Sequence, residues 1–150
     1  MADWINLQKP SFLTVDVMLA LNNNFNYLRD YFLSFNLPVP ELKDVTVDYS
    51  ISPLEIQQKF NDVEFNIQLL ENVTKNRLYI KNNYFKKFDW PKSPMDIKKE
   101  VYRWIDWLNE VKKYTIQYEN LKDINGEQLT DINGEDLIVL KVIKRGNLNA

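Results

Sequence analysis

The segment LKDINGEQLTDINGED, residues 121–136, contains one eight-residue pattern written twice. Leu121, Leu129 and Leu137 recur at this spacing, and each copy carries the dipeptide Asn-Gly. Asn-Gly supplies the positive φ angles that tight hairpin turns require. Before the pattern, residues 115–118 alternate between polar and apolar side chains, and after it residues 137–143 are mostly aliphatic. The chain from Tyr114 onward is therefore predicted to be β structure.

Two arrangements of the octads remain open. They form consecutive short strands of a hairpin meander, or they are rungs of a small β-helix or β-prism wound from several chains. About 35 residues are too few to close a β core alone. Either the helical part of the chain or sister chains must cover the apolar side chains, and we favour sister chains. The candidate oligomer interface residues are Ile124, Leu129, Ile132, Leu137 and Leu140.

The chain before the octads has a different character, because all three glycines lie at positions 126, 134 and 146. We therefore divide the sequence into a helical, repeat-like part at residues 1–113 and a β-rich segment at residues 114–150. Helices are predicted at about 14–35, 52–72 and 93–113. The second and third begin at Ser-Pro pairs, in which serine can cap the helix and proline occupies the first helical position.

The helices have apolar side chains at the 3.6-residue spacing of a buried face. The predicted core positions are Val17, Leu21, Phe25, Leu28 and Phe32 in the first helix, Ile56, Phe60, Val63, Ile67 and Leu70 in the second, and Ile97, Val101, Trp104, Leu108 and Val111 in the third. Short strands are expected between the helices, at residues 45–51 and 78–80. Prolines at 38 and 40 are expected to stop the first helix. The predicted fold class is α+β.

An Asp-aromatic pair precedes each helix start, at residues 3–4, 48–49 and 89–90. The resulting period is near 40 residues. Internal duplication and a coincidence of ordinary amphipathic helices both explain this spacing.

Composition excludes much chemistry, because the chain has no cysteine and no histidine. Thiolate nucleophiles, the usual general base and the commonest transition-metal ligands are therefore absent. Residues 131–136, DINGED, carry oxygen ligands, but an EF-hand needs glycine at its sixth position and glutamate at its twelfth. A plain turn explains them better. We predict no catalytic residues, no cofactor and no metal, and hence no enzyme.

A formal net charge of -2 and a pI of about 5.2 give no general attraction to nucleic acid or to anionic membranes. Residues 75–90 mix basic and aromatic side chains, which could bind single-stranded nucleic acid but equally suit an edge segment with lysines outward. No apolar run approaches the roughly 20 residues that span a bilayer, and no signal peptide is recognisable at the N-terminus. We expect a protein made in the cytosol, with neither nucleic acid nor membrane as partner.

The four tryptophans are the remaining candidates for contact with a partner. Trp104 has core spacing, whereas Trp107 beside it is expected to be partly exposed or at an interface. Trp4, Trp90 and Trp107 are therefore taken as docking candidates. Exposed tryptophans could also line a sugar-binding cleft.

The chain before the octads resembles small virion structural proteins of tailed phages that infect low-GC Gram-positive bacteria. The resemblance lies in the Asp-aromatic lead-ins, the capped helices and the asparagine-rich helix segments LNNNFNYL (21–28) and FNDVEFNI (60–67). The tandem octads are similar in kind to short β-repeats of trimeric phage fibres. The resemblance implies a non-enzymatic oligomer, often a trimer, docked at one end on capsid, neck or tail.

The leading hypothesis is a homotrimeric virion protein, of the head-fibre, decoration or tail/baseplate-connector type, which binds itself and other virion proteins. A host-receptor or carbohydrate-binding module is the first alternative. A small cytosolic regulator or nucleic-acid-binding protein is the second.

Overall fold

The computed structural model describes residues 3–10, 13–48, 53–78 and 94–144. It has a mixed α+β architecture, as predicted. The elements in chain order are α1 (Val15–Leu33), α2 (Pro53–Asn76), α3 (Pro94–Lys112), β1 (Tyr114–Asn120) and β2 (Ile138–Lys144). The chain divides into two compact units, Met1–Val111 and Lys112–Ala150, which are called the helical unit and the β unit below.

Helix α1 begins and ends with local hydrogen bonds that its sequence supplies. The Thr14 side chain caps the helix by accepting a hydrogen bond from the backbone N–H of Val17 at 3.3 Å, which confirms the predicted start. At the other end, Asn36 adopts a φ of 59° and the N–H of Leu37 donates to the carbonyl of Phe32. This is a Schellman stop, so the helix ends before the prolines that were expected to end it.

The core of the helical unit lies where the helical spacing placed it. Of the predicted core positions whose side chains the structure describes, all are buried except Ile56, which is half-buried. Trp104 packs edge-on against Phe60, with ring centroids 5.3 Å apart. The side chain of Ile97 lies outside the described residues.

Helix α2 is longer than predicted and continues to Asn76 rather than ending near 72. Its last turn carries buried side chains, with Val73 6% and Thr74 0% exposed. The Thr74 hydroxyl donates to the carbonyl of Glu71 at 2.8 Å, and Lys75 pairs with the same glutamate at 3.2 Å. Burial and an i,i+4 ion pair extend the helix past the point where its regular apolar spacing stops.

The strand predicted over residues 45–51 is wrong for its described part, since residues 45–48 form no strand. Helical asparagines take the place of a neighbouring strand. Asn66, fully buried on α2, accepts from the Lys43 N–H at 2.9 Å and donates to the Lys43 carbonyl at 2.8 Å. Asn22 accepts from the N–H of Val45 at 3.1 Å. Because these side chains satisfy the backbone, the segment needs no β partner. Of the strand expected at 78–80, only Leu78 is described, and it is not in a strand.

The same pairing recurs on α1. Asn24 is fully buried, accepts from the N–H of Ile5 at 2.9 Å and donates to its carbonyl at 2.8 Å. Asn24 and Asn66 belong to the asparagine-rich helix segments 21–28 and 60–67. Their side chains therefore hold segments from outside the helices against the helix surface. We call each two-way contact an amide clasp.

The β unit is built on an antiparallel ribbon of β1 and β2, with seven residue pairs from Tyr114–Lys144 to Asn120–Ile138. The two octads fill the connection between the strands. No helix in the described part of the chain is both long enough and apolar enough to cross a membrane.

Candidate functional site

Each octad folds into a tight hairpin loop, and the two loops have the same hydrogen bonds. In the first loop the N–H of Gly126 donates to the carbonyl of Asp123 at 3.1 Å, and the N–H of Asp123 donates to the carbonyl of Glu127 at 2.8 Å. Gly126 has a φ of 83°. This is the pattern of a three-residue hairpin loop that ends on a residue in the left-handed region.

An aspartate fixes each loop from inside. Oδ1 of Asp123 accepts from the N–H groups of Asn125 and Glu127 at 2.8 and 3.0 Å. Oδ1 of Asp131 accepts from Asn133 and Glu135 at the same two distances. Backbone groups that would otherwise need water are bonded within the loop, so each loop is held in one conformation.

The three repeating leucines form a closed ring of backbone hydrogen bonds. The N–H of Leu129 donates to the carbonyl of Leu121 at 2.9 Å, that of Leu137 to Leu129 at 2.9 Å, and that of Leu121 to Leu137 at 2.8 Å. Three two-stranded segments meet at this ring: the β1–β2 ribbon and the two hairpins, which have bridges at Lys122–Gln128 and Thr130–Asp136. We call this arrangement the leucine junction.

The leucine junction is neither a meander of consecutive strands nor a set of stacked rungs. Each octad pairs with itself across its own loop, and the octads meet only where their leucines join the ring. The eight-residue period therefore brings the chain to the leucine junction three times, at Leu121, Leu129 and Leu137. A hydrogen bond between residues 121 and 137 closes that centre, which octad spacing alone does not predict.

Gln128 completes the leucine junction with its side chain. Nε2 of Gln128 lies 3.1, 2.8 and 3.0 Å from the carbonyl oxygens of Leu121, Leu129 and Leu137. The two hydrogens of this NH₂ group are shared among the three carbonyl oxygens, and each carbonyl also accepts one bond from the ring. The second octad has Asp136 at the equivalent position. Sequence reasoning missed Gln128, although the Gln/Asp difference between the octads was a visible signal.

The five interface candidates are now placed. Ile124 and Ile132 stand at the ends of the two loops and are 99% and 100% exposed. Leu137 is 36% exposed, and Leu129 and Leu140 are half-buried. Leu129 and Leu137 belong to the leucine junction, whereas Leu140 lies within β2.

The docking candidates differ in how far their side chains are exposed. Trp107 was expected at the surface but is 1% exposed, so that expectation is wrong: its ring fills the core of the helical unit beside Trp104. Trp4 is half-buried and lies edge-on to Tyr27, with ring centroids 5.4 Å apart. Trp90 lies outside the described residues, as does most of the basic-aromatic segment at 75–90.

A shallow hollow opens beside the leucine junction on the β unit. It has a volume of about 570 Å³ and is lined by Tyr118, Glu119, Asn120, Leu121, Lys122 and Val139. Three of its side chains are exposed apolar or aromatic groups, at 48% for Tyr118, 38% for Leu121 and 42% for Val139. Glu119 pairs with Lys141 at 3.7 Å. We call this surface the stem hollow.

Charge is distributed unevenly over the β unit. Residues 129–136 carry three carboxylates and no base, whereas residues 121–128 carry two carboxylates and one lysine. The strand segments 112–120 and 138–144 together carry four lysines and one glutamate. The octad that bears Ile132 is therefore acidic, whereas the two strand segments carry a net positive charge.

A buried ionic cluster lies between α2 and α3 in the helical unit. Glu64 Oε1 accepts from the Trp104 indole N–H at 2.7 Å and from Arg103, which also pairs with Glu100 at 2.6 Å. Burial raises the pKa of the Glu64 carboxyl above its ordinary value of 4.5, although Trp104 and Arg103 act in the opposite direction. The bonds from Glu64 to Arg103 and Trp104 join the two helices, so we assign the cluster a structural role.

A second hollow in the helical unit, of about 350 Å³, lies where the start of α1 meets α2. Its lining is mainly apolar, and its two polar residues are Thr14 and Asp48. Thr14 is already engaged as a helix cap. The described residues include no group of three acidic side chains placed to hold a metal ion.

Comparison of the chain with protein-family models, with curated proteins and with solved structures finds no match.

Proposed function

We propose that the protein is a non-enzymatic structural component of a phage virion, a head fibre, decoration protein or tail/baseplate connector, which assembles as a homotrimer and docks on other virion proteins. The observation that carries the proposal is the complete exposure of Ile124 and Ile132 at the ends of two loops with identical hydrogen bonds. The phage assignment itself comes from the resemblance of the helical part to such proteins.

Energetics favours a role in contact for these isoleucines. Fully burying an isoleucine side chain is worth about 1.5–3 kcal/mol. Isolated exposed apolar side chains are common on protein surfaces, but here two are displayed at equivalent positions 99% and 100% exposed. Loops held by internal aspartate bonds lose little conformational entropy on binding. A rigid loop with an apolar end is therefore well suited to insertion into a partner surface.

The β unit also has too little cover for its own apolar side chains. Besides the loop isoleucines, Ile138 is 52% and Ile143 41% exposed on β2. A two-stranded ribbon is at best marginally stable in water without a further layer. Self-association covers these apolar side chains with further copies of the chain, so their exposure supports a homo-oligomer.

The alternatives receive less support. A sugar-binding cleft lined by tryptophans cannot use Trp104 or Trp107, because both are buried in the helical unit. Nucleic-acid binding would depend on residues 75–90, of which the structure describes four, and on a chain whose net charge is -2. Retention on heparin at low salt would favour this second alternative.

Size-exclusion chromatography with multi-angle light scattering tests the proposal on the full chain. We expect a trimer at micromolar concentration for the natural sequence and a monomer for the double variant Ile124→Ser/Ile132→Ser. The control Leu19→Ser removes an apolar side chain that is 53% exposed on α1, and this variant should stay trimeric. A monomeric natural chain would refute self-association.

A further inference from the structure

We propose that Asn125 and Asn133 are sites of spontaneous conversion to isoaspartate, and that Asp123 and Asp131 hold the two asparagines in their unreacted form. The proposal goes beyond the function proposed above and does not rest on it. It concerns the chemistry of the two octad loops and needs only water as a second reactant.

Both sites are Asn-Gly dipeptides, at residues 125–126 and 133–134, whereas the remaining glycine, Gly146, follows an arginine. Asparagine is one of the chemically labile residues of proteins. A following glycine has no side chain to shield its backbone nitrogen from the asparagine amide. Both dipeptides are exposed, so water reaches them. Sequence and exposure therefore mark two reactive positions.

The reaction is an intramolecular substitution followed by hydrolysis. The backbone nitrogen of the glycine gives up its proton and attacks Cγ of the asparagine. The new N–Cγ bond closes a cyclic imide, the Cγ–Nδ2 bond breaks, and the released NH₂ group takes up a proton and leaves as ammonia. Water then adds to one carbonyl carbon of the imide and opens it to aspartate or isoaspartate. No group is oxidised or reduced.

The loop structure places the attacking nitrogen at the centre of a set of hydrogen bonds. Oδ1 of Asp123 accepts from the N–H groups of Asn125 and Glu127 at 2.8 and 3.0 Å, and the Asp123 carbonyl accepts from the N–H of Gly126 at 3.1 Å. One aspartate therefore holds three consecutive N–H groups around the dipeptide. Asp131 makes the same three bonds in the second loop, at 2.8, 3.0 and 3.0 Å.

These bonds oppose the reaction in two ways. The Gly126 nitrogen must lose the proton that it donates to Asp123, and its peptide group must turn toward the Asn125 side chain, which strains the neighbouring bonds to the carboxylate. The negative charge of that carboxylate also disfavours the anionic nitrogen that deprotonation creates. The folded loop therefore slows a reaction that its sequence and its exposure favour.

Conversion would disable the loop that carries it. In isoaspartate the main chain runs through Cβ and Cγ, so it is one atom longer. The second loop is closed by a bond from the N–H of Asp131 to the carbonyl of Glu135 at 2.8 Å, and a longer chain between these residues cannot keep all of the loop's bonds. Ile132 would then lose its fixed position. Only this last consequence bears on the function proposed above.

The test follows conversion at each asparagine of the full chain by mass spectrometry, during storage at mildly alkaline pH. Fragmentation of the peptides locates each change and distinguishes isoaspartate from aspartate. We expect Asn125 and Asn133 to convert at least about tenfold more slowly in the native chain than in the same chain unfolded in guanidinium chloride. Asn36, which is exposed and followed by leucine, is the control and should stay unconverted in both samples.

Variants of one loop use the other loop as an internal control. Asp131→Ala removes the carboxylate bonds of the second loop, so Asn133 should convert about tenfold faster while Asn125 in the same molecule keeps its slow rate. Asp131→Asn retains an oxygen acceptor and should retain most of the protection. The reciprocal variant, Asp123→Ala, should accelerate conversion at Asn125 alone.

Any of three results would overturn the inference. They are conversion in the native chain as fast as in the unfolded chain, an Asn133 rate that Asp131→Ala leaves unchanged, and equal acceleration of Asn125 and Asn133 in that variant. The last result would assign the protection to the β unit as a whole and not to the individual loop.

The double variant Ile124→Ser/Ile132→Ser separates this inference from self-association. Slow conversion in this variant, which is expected to be monomeric, supports protection by the loop itself. A rise to the rate of the unfolded chain would assign the protection to contact between copies and would overturn the inference. A natural chain that is monomeric and converts slowly would instead refute the proposed function and support the inference.

Discussion

The side-chain amide of Asn66 is paired with both backbone groups of Lys43, accepting from the N–H at 2.9 Å and donating to the carbonyl at 2.8 Å. This is the hydrogen bonding that a neighbouring β-strand would provide, supplied here by one helical residue. Asn24 has the same relationship with Ile5. Two amide clasps therefore fix extended segments to helices α1 and α2.

Replacing Asn66 with alanine should lower the free energy of unfolding by about 2–3 kcal/mol, because two backbone groups lose their partner at a buried site. Urea unfolding followed by circular dichroism measures the loss. Asn26→Ala is the matched control: Asn26 is exposed and bonds only the carbonyl of Asn22 among the hydrogen bonds resolved for it. Similar losses in the two variants would contradict the clasp as a source of stability.

Gln128→Glu should destabilise the leucine junction more than Gln128→Leu does. Glutamate brings carboxylate oxygens against three carbonyl oxygens, whereas leucine only removes the donor. Hydrogen exchange of the backbone N–H groups of Leu121, Leu129 and Leu137 should accelerate in both variants, and further in the glutamate variant. Asp136→Ala changes the equivalent octad position and should leave these rates nearly unaltered. Equal exchange in all three variants would count against Gln128 as the centre of the junction.

Gly134→Ala should cost about 1–2 kcal/mol of local stability, whereas Gly134→Asn should cost less. The cause is backbone conformation, since Gly134 has a φ of 79° and no atom lies within 4 Å of an added Cβ. Asparagine tolerates this region better than alanine does. Exchange of the Asp131 and Glu135 N–H groups, which close the loop, provides the readout. If alanine and asparagine behaved alike, the strain argument would be wrong.

Glu64→Gln should change how stability depends on pH. Burial raises the pKa of the Glu64 carboxyl in the folded chain above 4.5, so the folded state holds its proton more tightly than the unfolded state. The contribution of Glu64 to stability is therefore largest below 4.5 and is lost as pH rises through the folded pKa. Glutamine keeps an oxygen acceptor and does not titrate.

Urea titrations of the two chains at a series of acidic pH values provide the measurement. The glutamine variant should gain stability relative to the natural chain as pH rises through this window. Gln68→Glu, a change at an exposed position of the same helix, serves as the control for added or removed charge. A relative stability that falls with rising pH would show that the ion pair with Arg103 outweighs burial.

Local signals predicted the elements well. The 3.6-residue spacing identified the buried faces of the helices, Thr14 marked the start of α1, and the Asn-Gly pairs located both loops. Each of these depends on a residue's own backbone preference or on neighbours a few positions away. The predicted strand at 45–51 failed in its described part because side chains of other elements bond the backbone there: Asn22 of α1 accepts from the N–H of Val45, and Asn66 of α2 holds Lys43 just before it.

The candidate site was likewise predicted only in part from the sequence. The octads marked the segment, and Ile124 and Ile132 were identified from their period. Their exposure, the ring between residues 121 and 137, and the three-way contact of Gln128 could not be obtained from the spacing, because they depend on where the chain returns. The prediction that Trp107 is partly exposed was wrong for a different reason. Trp107 is buried like its neighbours, because α3 is buried on more than one apolar stripe.

The sequence by itself determined the change from helix to β structure, the positions of the turns and the absence of cysteine and histidine, since composition and local backbone preferences are properties of the chain alone. Only the tertiary structure decided which asparagines clasp which segments, that three leucines close one ring, and that the Ile132 loop and the stem hollow are distinct surfaces. Those features depend on hydrogen bonds and burial between residues far apart in the chain, and such pairings exist only once the chain has folded.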